Sequence, residues 1–325
     1  MSKKVLLIGC GEVGSRHLQA LACLDEIVQI DVVDTNPTSV ALGKERLKGL
    51  QGFNDKIRIQ WHASMDDIHS GADLCVIATS AHHRVDLVKM LIERGYKRFI
   101  LEKIVAQSMI DYDELLRACE KMGVKAWVNM PTRAFQVHKY IKSRLSPGEP
   151  ITFMQAGGNW GLACNGIHYI DLFIYYDEPS VLEPEAFLID PLLHSSKRGD
   201  AYKDLSGVVC GRSDKGSRVV IAYAKEHKNA DVVSIFSAKA RFLVDIINGW
   251  AQEELGDGQW RRIDISENIY VSHTTKIFAR DIFKEDDCEL PSLKESRISH
   301  AFLLDNLQDH FNCLVGQELK YCPTT

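Results

Sequence analysis

The sequence predicts an α/β protein. A doubly wound parallel sheet comes first, and an α+β half with a largely antiparallel open sheet follows it. Three observations carry the prediction. Apolar runs of strand length alternate with helical patterns as far as about residue 130, which specifies parallel strands with right-handed crossovers. The first run, residues 5–8, opens onto Gly9-Cys10-Gly11-Glu12-Val13-Gly14 and then a helical stretch from Ser15. From about Pro150, short alternating runs between turn residues replace that pattern.

The elements follow in order. Residues 28–33 form the second strand, ending at Asp34, and residues 39–47 read as a helix. Residues 57–61 alternate as a strand, and residues 64–68 read as a short capped turn of helix. The continuous apolar run 74–78 suits a buried parallel strand. Val85, Val88, Leu91 and Ile92 then recur at helical spacing before Gly95. Residues 99–101 and 125–129 are further strands, separated by a helix over 111–122. In the second half, 151–155, 232–236, 242–246 and 260–265 read as strands. Residues 207–223 form a hairpin across Ser213-Asp214-Lys215-Gly216, and 292–311 an amphipathic helix.

Length and composition bound the function. A chain of 325 residues exceeds one small core, and the change of pattern divides it into domains 1–130 and 131–325. Apolar residues make up 45% and charged residues 26%, as in soluble globular enzymes. The net charge is −5 and no basic block could neutralise a run of phosphates, so nucleic acid is not an expected partner. The first apolar run ends at Ile8, too short for a secretion signal or a membrane span. Nine cysteines without a C-x-x-C pair read as reduced thiols in the cytoplasm, and no metal site is expected.

Strand, glycine turn and helix together point to a dinucleotide. Gly9 permits the tight turn, Gly11 lets backbone approach a pyrophosphate, and Gly14 lets the helix pack on the strand. The free N–H groups of Glu12, Val13 and the helix start attract phosphate. Asp34 stands where such a fold places the carboxylate that holds the adenosine ribose diol. It repels a 2′-phosphate, and Thr35-Asn36-Pro37 supplies no arginine to receive one, which favours NAD over NADP. Ligands of a parallel sheet bind at its carboxyl ends. Here those ends are Thr79 to Arg84, Glu102-Lys103, and Asn129 to Arg133.

With Gly9-Cys10-Gly11-Glu12-Val13-Gly14, Glu102-Lys103 and Gly166-Ile167-His168-Tyr169-Ile170-Asp171, the chain resembles the glucose–fructose oxidoreductase/inositol dehydrogenase (Gfo/Idh/MocA) family over nearly its whole length. The resemblance implies an amino-terminal Rossmann domain and a substrate domain that also forms oligomers. It implies that Lys103 reaches the reacting hydroxyl, that His168 is the general base, and that Asp171 orients it or contacts substrate. Thr79, Ser80, His83 and Glu102 would line the cofactor. Asn129, Arg133, Trp160 and Asn165 would line the substrate, with Lys103 and His168. His17 reads as a packed helix residue. The chain departs from the pattern at Ile104, where the family has proline, and a trans Lys103–Ile104 bond is expected. It departs again at Cys164, where polyol-oxidising members carry an aspartate. A Cys164→Asp change would then complete a Lys-Asp-His trio. Arg84 stands where the family has a histidine.

These features lead to an NAD-dependent oxidoreductase that moves hydride between nicotinamide and a secondary alcohol or ketone of a sugar, sugar derivative or cyclitol. The Cys164 variation resembles members tied to surface-sugar biosynthesis. Two alternatives stand beside this. One is an enzyme that retains NAD while cleaving or epimerising a sugar, and the other a catalytically degraded NAD-binding sensor or scaffold. Expected partners are a sugar-like small molecule and a second copy of the chain, as a homodimer or homotetramer through the carboxyl-terminal sheet, with no membrane.

Overall fold

A computed structural model describes residues 2–69, 71–158, 161–196 and 199–325. The expected ligand residue Trp160 lies outside the described residues. Chain contacts separate two compact units. One comprises Met1–Ala106, Ile110–Pro131 and Asn268–Glu295, and the other Gln107–Met109, Thr132–Glu267 and Ser296–Thr325. Apart from Gln107–Met109, the first unit runs unbroken to Pro131. The sequence reading assigned 268–295 to the second half, but this segment packs with the first.

The first unit runs β1 (Lys3–Ile8), α1 (Gly14–Leu21), β2 (Ile27–Val33), α2 (Pro37–Leu47), β3 (Arg58–His62), β4 (Leu74–Ile77), α3 (Arg84–Glu93), β5 (Arg98–Leu101), α4 (Met109–Met122) and β6 (Lys125–Val128). Among the described residues six strands form one parallel sheet in the order β3-β2-β1-β4-β5-β6. The order reverses between β1 and β4, the crevice where open α/β sheets bind ligands. β4 is fully buried, which explains its unbroken apolar run. Asn36 caps α2 by accepting from the Thr38 amide, and Pro37 supplies the first helical residue.

The second unit holds α5 (Gln136–Arg144), β7 (Thr152–Gly158), α6 (Leu162–Asp177), β8 (Leu182–Ile189), β9 (His194–Ser196), β10 (Gly199–Asp204), β11 (Gly207–Ser213), β12 (Arg218–Ala224), β13 (Val232–Phe236), β14 (Arg241–Asp245), β15 (Trp250–Glu254) and β16 (Arg261–Asp264). The chain then adds α7 (Val271–Glu285) to the first unit and returns with α8 (Arg297–Val315). Eight strands form a sheet in the order β16-β15-β14-β13-β7-β12-β11-β8, antiparallel apart from the β7–β12 pair. Burial alternates along β11, β12 and β13, so one face is packed, and α6 and α8 lie against it. α6 is anticipated only through its motif, and α5, α7, β8, β9, β10 and β15 are not among the expected elements. Among the described residues no helix is long and apolar enough to cross a membrane.

Two buried titratable groups in the second unit pull stability in opposite directions with pH. His138 on α5, whose Nδ1 lies 2.6 Å from the Tyr176 hydroxyl, has its pKa lowered to about 3 by burial. The unfolded chain therefore takes up this proton first, and stability is lost as pH falls from 6.5 toward about 3. Asp231 accepts from the Tyr169 hydroxyl at 2.7 Å, yet burial raises its pKa to about 6. Its neutral form is favoured by the fold, so its contribution is present below 3.8 and lost as pH rises through about 6. Urea unfolding at pH 6 and pH 4 separates the two. Relative to wild type, His138→Phe should gain stability as pH falls and Asp231→Asn should lose it, each by up to about 1.4 kcal/mol per pH unit. Parallel slopes in both variants would contradict these assignments.

Candidate functional site

The glycine turn sits at the end of β1. Gly9 has φ +87°, and a Cβ there would lie 2.8 Å from the Ala78 carbonyl carbon at the end of β4. A Cβ on Gly14 would lie 1.9 Å from the Gly9 carbonyl oxygen, so α1 can start this close to β1 only with glycine. Gly11 is the opposite case, with Ser39 Oγ at 3.9 Å as the nearest group to an added Cβ. Its backbone is open, as approach by a phosphate requires. Glu12 is exposed, Val13 half-buried and in helical conformation, and the Ser15 hydroxyl closes the turn by donating to the Gly11 carbonyl at 2.6 Å.

Asp34 is oriented by backbone. Its Oδ2 accepts from the Cys10 amide at 2.6 Å and its Oδ1 from the Asn36 amide at 2.8 Å. Each oxygen keeps a further lone pair for a ribose hydroxyl. Burial, with Asp34 adding to it, pushes the Cys10 thiol up to about 12, so this cysteine is a packed neutral group. At the end of β4 the Thr79 side-chain oxygen is buried without a hydrogen-bond partner among the described residues. An open Gly11, an oriented Asp34 and this orphaned hydroxyl fit a dinucleotide. Ser80 is half-buried beside them. His83 is exposed, with φ +58°, its Nδ1 3.6 Å from Asp86 Oδ2 and its ring centroid 3.8 Å from that of His82.

The ends of β4, β5 and β6 are tied by buried polar groups. Glu102 Oε1 accepts from Asn129 Nδ2 and lies 3.0 Å from His17 Nε2. His17 Nδ1 lies 2.8 Å from the hydroxyl of Thr275 on α7, which itself donates to the Val271 carbonyl at 3.0 Å. The packed role expected of His17 holds, with a polar function added. Lys103 follows Glu102 and is only 4% exposed. The Lys103–Ile104 bond is cis, against the trans expectation. The carbonyls on both sides of it, those of Glu102 and Ile104, accept from Arg84 Nη1, while Arg84 Nη2 donates to the Thr79 carbonyl. Sequence reading noted Arg84 only as a departure and missed this role. Its signal was an arginine at the start of an apolar helix, and the structure buries it completely.

In the second unit, α6 presents the other motif. Its first turn is capped by Asp204, whose Oδ1 accepts from the amides of Ala163 at 2.9 Å and Cys164 at 3.2 Å. Gly161, with φ +84°, leaves the space for that carboxylate. Asn165 and His168 are half-buried and share a face of the helix. One turn further on, Asp171 takes a two-pronged contact from Arg133, with Nε to Oδ2 at 3.0 Å and Nη2 to Oδ1. Two residues expected to serve substrate separately are thus brought onto each other. Breaking such a buried pair costs about 3–5 kcal/mol.

Cys164 meets the chain itself. Its thiol donates to the Thr325 carbonyl at 2.8 Å. The segment 322–325 is held at every residue. The Cys322 amide donates to Gln107 O at 2.9 Å, the Lys203 amide to Pro323 O at 2.6 Å, and Gln107 Nε2 to Thr324 O at 3.0 Å. Position 164 is therefore a donor facing an acceptor, and an aspartate there would oppose the Thr325 carbonyl.

Residues 3–130 match the family model described as the oxidoreductase family, NAD-binding Rossmann fold (GFO_IDH_MocA). Over that span the chain is similar to the NAD-binding Rossmann fold of the Gfo/Idh/MocA oxidoreductases. Similar solved structures cover both units. An oxidoreductase from Agrobacterium radiobacter in complex with NAD+, L-tartaric acid and magnesium has a TM-score of 0.74 at 14% identity, covering 93% of this chain and 94% of that one. UDP-N-acetylglucosamine 3-dehydrogenase from Acidithiobacillus ferrooxidans gives 0.73 at 13%, covering 94% and 96%. The WlbA dehydrogenase from Bordetella pertussis, in complex with NADH and UDP-GlcNAcA, gives 0.67 at 17%, covering 94% and 95%. No curated protein matches the sequence.

The Cys164 geometry yields a direct test. Cys164→Ser keeps a donor and should behave like wild type. Cys164→Asp should destabilise the second unit by about 1–3 kcal/mol, the cost of a buried unsatisfied group. It should also speed hydrogen exchange at the Cys322 and Thr324 amides, both of which are bonded here. Unchanged protection together with raised turnover in Cys164→Asp would instead support completion of a Lys-Asp-His trio.

Proposed function

We propose that the protein oxidises a secondary alcohol, or reduces the matching ketone, of a sugar or a sugar derivative, with cyclitols as the neighbouring class. The observation that carries this reading is Lys103, a buried ammonium at the carboxyl end of β5 in an NAD-binding Rossmann sheet. Solved structures of like fold act on or hold nucleotide-linked amino sugars, which supports that substrate class; a place in surface-sugar biosynthesis is part of the same proposal. When bound, nicotinamide accepts or returns the hydride. Lys103 stabilises the negative charge that develops on the substrate oxygen. The His168 imidazole accepts the hydroxyl proton during oxidation and returns it during reduction. Asn165 and Asn129 offer amides to further hydroxyls, and Asp171 with Arg133 fixes the helix that carries His168. Asp34 holds the ribose diol, which favours NAD over NADP.

NADH fluorescence and a substrate panel test this together. Sugars, nucleotide-linked amino sugars and inositols are incubated with NAD and followed at the reduced-nicotinamide absorbance. Lys103→Ala and His168→Gln should each lower turnover of the best substrate on the order of 10²–10⁴-fold, leaving NADH binding near wild type. If NADH binds and nothing on the panel reacts, the dehydrogenase reading fails. If a substrate reacts equally well with either variant, the assigned roles fail.

We also infer a homodimer or homotetramer through the face of the eight-stranded sheet opposite α6 and α8. Met154, on the central strand β7, is 43% exposed there, beside Val220 and Ser234. Sedimentation equilibrium should show an oligomer that Met154→Glu weakens at least tenfold. A wild-type monomer at tens of micromolar would overturn this.

A further inference from the structure

The glycine turn carries a charge pair that the dinucleotide reading does not use. The Glu12 carboxylate is 78% exposed and stands on the turn whose backbone N–H groups attract phosphate. Left alone, a carboxylate there opposes a pyrophosphate by like-charge repulsion. Arg46, from the last turn of α2, reaches this carboxylate with Nη2. Its Nη1 donates to the Glu12 carbonyl at 2.6 Å and to Ser15 Oγ. The amides of Ser15, Arg16 and His17 go to the carbonyls of Gly11 and Val13, so the guanidinium serves a carbonyl that these helical amides pass over. The arginine is well held. Its side chain is 15% exposed, and Gln19 Nε2 donates to its carbonyl at 2.8 Å. One arm is thus anchored on the turn, and the other points to the exposed edge where Glu12 lies.

We propose that Arg46 is a phosphate-binding residue of the dinucleotide site. Nη1 stays on the turn, while Nη2 exchanges the Glu12 carboxylate for a phosphate oxygen of the bound dinucleotide. The exchange follows from the chemistry of the two partners. An exposed, flexible carboxylate is a weak partner for a guanidinium. A phosphate held by the same turn is a strong one, with charge-assisted geometry that suits the planar fork. Glu12 then acts as a placeholder that keeps Arg46 extended when no dinucleotide is present. The acceptor is a phosphate ester, either the pyrophosphate common to both dinucleotides or the 2′-phosphate of NADP. This proposal rests on the dinucleotide reading of the turn.

Fluorescence titration with NADH and NADPH, and calorimetry with adenosine, provide the test. Arg46→Gln should lower NADH affinity about tenfold, the scale of one charge-assisted hydrogen bond, with adenosine binding unchanged. Arg46→Lys should recover part of the loss, because an ammonium lacks the fork. Glu12→Gln should raise NADH affinity severalfold while leaving Arg46 in place, which keeps the proposal falsifiable if Arg46→Gln does not fold. Equal losses for NADH and NADPH in Arg46→Gln identify the pyrophosphate, and a loss confined to NADPH identifies the 2′-phosphate. An adenosine loss as large as the NADH loss, or no change in any variant, overturns the proposal. Wild-type protein that binds neither dinucleotide would defeat the dinucleotide reading as well.

Discussion

One buried carboxylate, Glu102, is the constraint on which the carboxyl edge of the first unit's sheet depends. Removed from water, it needs hydrogen-bond donors, and it draws them from separate elements: Asn129 after β6 and His17 on α1, with Thr275 on α7 behind the histidine. Arg84 does the complementary work, gathering carbonyl oxygens from the ends of β4 and β5. The two knots fix the backbone on either side of Lys103. The backbone that carries Lys103 is thereby preorganised, as the role proposed for this lysine requires.

Much of the fold was legible because its signals are local. The glycine turn, the buried run of β4 and the alternation of β12 each show in a few consecutive residues. The second unit was harder. β8 and β15 are stabilised by what they pack on and carry weak signals of their own, whereas α7 has a buried, mostly apolar face of Thr275, Phe278, Ala279 and Ile282 at helical spacing that sequence reading missed. The carboxyl-terminal unit also mixes one parallel pair into an antiparallel sheet, a choice made by strand order and invisible in any single strand.

The candidate site divides in the same way. Gly9, Gly11, Gly14 and Asp34 are picked out by spacing alone, and Asp34 is tied to the glycine turn through the Cys10 amide. Residues whose role depends on a distant partner were misjudged or missed. Arg133 and Asp171 were placed at the site one by one, but 38 positions apart they meet as a fork and a carboxylate. Cys164 looked like a lost acid, and its acceptor is a carbonyl 161 residues away. Arg46 reaches the glycine turn across 34 residues, a relation that no motif window spans.

The return of α7 to the first unit has a consequence for how the protein is made. His17 and its partner Thr275 are separated by 258 residues. At ordinary elongation rates the ribosome needs roughly ten to fifty seconds to cover that distance. During this time the outer side of α1 has no α7 against it, and Glu102 is held by a histidine that lacks its second contact. The Rossmann unit is therefore begun first and finished late, after most of the other unit has been synthesised. The two units are thus interleaved along the chain, and an amino-terminal fragment ending near residue 130 is an unfinished domain.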